Sequence, residues 1–187
     1  MILDHKTVIG DCLETTLGLK TYLYLINEVK NGNIATDDFK RKYNAYYRVR
    51  QRSDEWYKKY YDLMFKQKTN ELTIEEIINE LSSFGTIEAS FASKLIATID
   101  TQKPIWDQYV LKNLGYYNEW RSYENKSKEE RIKKAVEIYK KIEKWYDVFL
   151  KSREGKKCIL EFDRVLPKYS TSISDVKKID FLLVNKR

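Results

Sequence analysis

SSFGTIEASFASKLIATIDTQKPIWDQYVLKNL, residues 82–114, is the stretch whose reading decides the fold. It reads as the end of one helix, a tight turn at Gly85, a second helix, a short loop, and a third helix opened by Pro104. Ile87, Phe91, Leu95 and Ile99 recur every four positions, and Ala89, Ala92 and Ile96 widen their stripe. At about 100° per residue these side chains cover roughly half of a helix. The other half carries Ser90, Ser93, Lys94 and Ala97, a face small enough for another backbone or a ligand to come close. Asp107 follows in the first turn after Pro104, where free N–H groups and the helix dipole favour an ionised carboxylate. Taken one at a time, a helix-start aspartate and a solvated lysine are the ordinary readings of these residues. On consecutive helices, however, Lys94 and Asp107 are placed to face one pocket.

Working outward, every other segment is helical in period. Leu13 to Lys30 reads as a helix stopped by Asn31-Gly32-Asn33. Thr36-Asp37-Asp38 caps a second, through about Gln51, and Ser53-Asp54-Glu55 opens a third, through Phe65. Thr73 with Glu76 forms a capping box for a fourth, ending at Leu81. Lys126 to Lys151 is the longest, with its break at Gly155, and Lys157 to Leu166 is a short helix stopped by Pro167. Ser174-Asp175 caps a last helix through Val184, with ILEF and FLLV as alternative short strands. The expectation is an all-α chain forming a single helical domain over residues 1–187.

Composition excludes several chemistries. Cys12 and Cys158 have neither a metal-like spacing nor a partner cluster, and His5 is the single histidine, so no metal or iron–sulfur cofactor is expected. The same cysteine usage fits a reducing cytoplasm. No apolar run approaches the 18 residues of a membrane span. The net charge of +7 suits a polyanionic partner, although a solvated surface accounts for it as well.

The order helix, Gly85 turn, helix, Pro104, Asp107 resembles the helix-hairpin-helix DNA glycosylase superfamily, and within it bacterial proteins similar to 8-oxoguanine DNA glycosylases. The residues that carry the resemblance are Gly85, Ala92-Ser93-Lys94-Leu95 and Pro104-Ile105-Trp106-Asp107-Gln108-Tyr109-Val110. The hairpin has one glycine where the family commonly has two. With Asp107 aligned, the family's lysine position falls on Ser90, and Lys94 lies one turn later on the same face. The resemblance implies a helix-hairpin-helix glycosylase-like domain, with its hairpin and active-site segment at 73–114, that acts as a monomer on double-stranded DNA carrying a damaged base. It implies base excision of an oxidised or damaged purine, with abasic-site lyase activity if the lysine is the nucleophile. Its other implication is a catalytically inactive module that keeps the fold and binds DNA or protein.

Base excision calls for these residue types. Breaking the bond from base to deoxyribose develops positive charge on the sugar, which an ionised carboxylate such as Asp107 stabilises. A lysine that has lost its proton, here Lys94, attacks the sugar carbon and forms a Schiff base. The base must also leave the stack for a pocket with aromatic walls, for which Phe84, Trp106 and Tyr109 are candidates beside the ordinary reading of helical-period aromatics as core. Gly85, Thr86 and Ser90 at the hairpin, with Arg48, Arg50, Arg52 and Lys103, are the candidate DNA contacts, solvated charge being the competing reading of the four cations.

Overall fold

The computed structural model describes residues 16–186, with side chains from residue 18 onward. Residues 13–15 of the first expected helix, His5 and Cys12 lie outside the described residues. Every regular element among the described residues is helical. In chain order they are α1 (Thr16–Lys30), α2 (Asp37–Tyr47), α3 (Asp54–Asn70), α4 (Ile74–Leu81), α5 (Ala89–Ile99), α6 (Gln108–Leu114), α7 (Tyr117–Arg121), α8 (Lys128–Lys151), α9 (Arg153–Val165) and α10 (Asp175–Asn185). Single turns of 3₁₀ helix lie at Asn33–Ala35, Ser82–Phe84 and Pro167–Tyr169. The segments ILEF and FLLV are helical, within α9 and α10.

Most helix starts follow from side chains that accept the first orphan N–H groups. Thr36, Ser53, Thr73, Ser127, Ser152 and Ser174 each accept from the backbone N–H three residues on. Thr73–Glu76 and Ser127–Glu130 close complete capping boxes. Helix α2 ends at Tyr47, earlier than its pattern suggests, because Arg48 turns into the left-handed region at φ 56°. Helix α3 runs on to Asn70.

Gly155 lies in the first turn of α9, not at the break. The break is at Ser152, which ends α8 and caps α9. A Cβ on Gly155 would sit 2.0 Å from the Phe149 carbonyl oxygen, so its role is to let α9 close onto the end of α8.

The hairpin forms as expected: α4, the Ser82–Phe84 turn, Gly85 at φ 90°, and α5. A positive φ of that size is cheap only for glycine. Helix α5 is the centre of the molecule and packs against α1, α3 and α4. Its residues Ala92, Ser93 and Leu95 are fully enclosed. Helix α10 closes the other side against α6, α8 and α9. No helix among the described residues is long and apolar enough to cross a membrane.

Candidate active site

The loop between α5 and α6 decides where Asp107 points. The third helix begins at Gln108, not at Pro104; residues 104–106 are irregular, and Asp107 is the N-cap with extended backbone. Asp107 Oδ1 accepts the Tyr109 N–H at 2.9 Å, which leaves Oδ2 free to turn inward. Four side chains clamp the loop. The Ser93 hydroxyl accepts the Trp106 N–H at 2.8 Å, and the Ser90 hydroxyl donates to the Trp106 carbonyl at 2.9 Å. The Tyr139 hydroxyl donates to the Pro104 carbonyl, and the Ile105 N–H reaches Asp180 Oδ1 at 3.4 Å. The small face of α5 therefore serves to bind a neighbouring backbone.

This clamp brings Asp107 Oδ2 to 3.8 Å from Lys94 Nζ. Both line one cavity of about 380 Å³, bounded by the end of α2, α5, the start of α6 and α10. Its walls include Tyr46, Tyr47, Arg48, Ile105, Tyr109, Phe181 and Val184, and Lys177 and Asp180 lie on its α10 side. A volume near 400 Å³ is at the small end of ligand sites. Lys94 is only 9% exposed. Burial pushes its amine below the ordinary lysine range; Asp107 opposes this, and the charges of Lys177 and Arg48 reinforce it.

The expected contacts divide. Lys94, Asp107, Tyr109 and Arg48 meet at the cavity. Trp106 does not: it is buried, 5.2 Å edge-on from Trp120, on the opposite side of the loop. Phe84 sits on the hairpin, 39% exposed, with Gly85 and Thr86, and the Thr86 hydroxyl is donated to Glu88. Ser90 is occupied with Trp106. Arg52 pairs with Glu88 at 2.7 Å and lies over the Trp56 and Phe91 rings, so it braces the base of the hairpin. Lys103 pairs with Glu143 at 2.9 Å. Arg50 is exposed.

The sequence reading missed the α10 side of the cavity. Lys177 and Asp180 are both buried, with Nζ to Oδ2 at 3.5 Å. The Tyr146 hydroxyl donates to Asp180 Oδ1 at 2.6 Å. The Lys177 ammonium lies 5.0 Å from the Tyr22 ring centre, 5.4 Å from Phe181 and 5.9 Å from Tyr47. Lys-x-x-Asp at helical spacing resembles an exposed ion pair in sequence; only its aromatic surroundings, Tyr22 of α1 and Tyr47 of α2 beside Phe181 of α10 itself, distinguish it. Among the described residues no group of three or more His, Cys, Asp or Glu side chains is placed to hold a metal ion. No protein-family model, curated protein or solved structure matches the chain.

Proposed function

We propose that the protein binds damaged double-stranded DNA through its hairpin and excises an oxidised or otherwise damaged purine, with Lys94 as nucleophile and Asp107 as the charge-stabilising carboxylate. The observation that carries this reading is the nearly buried Lys94 amine, 3.8 Å from a carboxylate on the wall of a cavity of about 380 Å³, roomy enough to admit a nucleobase. A base turned out of the duplex enters between the tyrosines and Phe181. The neutral Lys94 amine adds to C1′ while the bond from C1′ to the base breaks. The base leaves with the bonding electrons and takes up a proton. Asp107 faces the positive charge that develops on the sugar. The new C1′–N bond loses one nitrogen proton, the ring oxygen leaves C1′ and is protonated, and a protonated Schiff base joins Nζ to C1′. Removal of a C2′ proton then expels the 3′ phosphate and cuts the strand.

The test is a screen of oligonucleotides carrying oxidised or alkylated purines, with borohydride present to reduce the Schiff base. Wild type should release one class of base and form a covalent adduct. Asp107→Asn should lower release by about 10²–10³-fold, as loss of a stabilising group in a closed site does. Lys94→Gln should abolish the adduct and leave DNA binding intact. Binding without release or adduct on any lesion overturns the catalytic reading and leaves the inactive DNA-binding module.

A further inference from the structure

The cavity holds a second lysine that the excision scheme does not use. Lys94 and Lys177 come from different helices and flank one ring, their ammonium groups 6.0 and 5.9 Å from the centre of Tyr47. We propose that Lys177 is a positioning residue, a fixed cation that adds to burial in favouring the neutral, attacking form of the neighbouring Lys94 amine. This rests on the reading of Lys94 as nucleophile.

Each amine lies within about 6 Å of the same ring, and the Lys177 charge acts against a proton on Lys94, so their surroundings decide which one is the more readily charged. Lys177 has the stronger support. Its carboxylate, Asp180, is nearer, at 3.5 Å, and is itself only 1% exposed, so their attraction is weakly screened. Burial raises the titration of Asp180, and Lys177, the Tyr146 hydroxyl and the Ile105 N–H oppose that rise in favour of its charge. Three aromatic faces surround the Lys177 ammonium. Lys94 has a carboxylate at 3.8 Å that is more open to water and is shared with the α6 cap. The other charge facing Lys94 is Arg48 at the end of α2, also a cation and exposed. A charged lysine beside a nucleophilic lysine is a recognised way to hold the nucleophile unprotonated.

The experiment needs no DNA. Trace acetylation by acetic anhydride, followed by mass spectrometry of the peptide containing Lys94, gives the neutral fraction of that amine across pH, normalised to its own alkaline plateau. In wild type the midpoint for Lys94 should lie below that of exposed Lys133. In Lys177→Met it should rise, cutting the neutral fraction at pH 7.5 about threefold or more, which corresponds to half a pKa unit. Lys177→Met leaves Asp180 buried without its cation and could unfold the chain. Lys177→Met/Asp180→Asn removes both charges and keeps the acceptor for Tyr146 and Ile105, and it should show the same rise. An unchanged or lower midpoint in the folded variants overturns the proposal. If Lys94 responds as expected but no DNA adduct ever forms, the excision reading fails and the electrostatic coupling stands. If an adduct forms and the midpoint does not move, the reverse holds.

Discussion

Lys94 shows what burying an amine does to the stability of a fold. Folding removes its amine from water, and that burial, more than any partner, pushes its titration down. A group with a depressed folded-state pKa contributes stability that is fully present above its unfolded value, about 10.4, and is lost as pH falls through the folded value. Below the unfolded value, burying this amine, whether its charge is kept or its proton is given up, therefore costs free energy that an exposed lysine does not incur. Lys94→Met keeps the apolar stem and drops the charge. It should melt at or above the wild-type temperature at pH 7, and its advantage should shrink as the pH is raised toward 10. Thermal unfolding of both proteins from pH 6 to 10 checks this; a variant less stable at every pH would mean that the pair with Asp107 outweighs desolvation.

At the scale of elements, the loop between α5 and α6 and the junction between α8 and α9 each contain a contact made by one small buried residue. Ser93 is fully buried and is the acceptor of the Trp106 N–H. Ser93→Ala would leave that donor unsatisfied, at a cost of about 1–3 kcal/mol, measurable as a fall in urea midpoint, and would remove one of the four clamps on the loop that carries Asp107. Gly155→Ala forces a methyl onto the Phe149 carbonyl and should cost about 1–3 kcal/mol by overpacking, where a surface alanine elsewhere on α9 costs little. These elements differ in how far their sequence announces them. Thr73 with Glu76, Ser53 and Ser174 are legible because a cap is local chemistry, readable from residues three apart. The hairpin is legible because Gly85 is the one turn residue between two periodic stripes. Lys94 and Asp107 are legible as a pair only through the short loop between their helices. Trp106 is misplaced by a helical reading of Pro104-Ile105-Trp106. In the irregular loop Ile105 and Asp107 face the cavity, while Trp106, between them, faces away, the alternation expected of extended backbone. Lys177 and Asp180 are illegible because what sets them apart is contact with Tyr22, Tyr47 and Tyr146, between 34 and 155 residues away in sequence.

For the whole molecule the question is how a net charge of +7 is spread, because total charge alone does not separate a DNA-binding face from a solvated surface. Much of the positive charge is already matched. Lys134 and Lys141 share Glu119 and Glu137, Lys178 bridges Asp163 and Asp175, Lys103 holds Glu143, and Arg52 holds Glu88. A cation held by a carboxylate must break that pair to reach a phosphate, so it releases little counterion on binding. Arg48 and Arg50 differ: both are exposed, and Arg48 stands at the cavity wall, where the backbone flanking an extruded nucleotide would pass. Each phosphate neutralised adds about 0.9 to the slope of log affinity against log salt on duplex DNA. Arg48→Gln/Arg50→Gln should therefore flatten that slope by about 1.8, while Arg52→Gln and Lys103→Gln should leave it near the wild-type value. Titrations by fluorescence anisotropy at several salt concentrations, on a duplex with an abasic site, measure the slopes directly. Equal slopes for wild type and the Arg48/Arg50 variant would place the DNA on another face. A slope that falls equally for Arg52→Gln would mean that the pair with Glu88 opens when the hairpin meets the backbone.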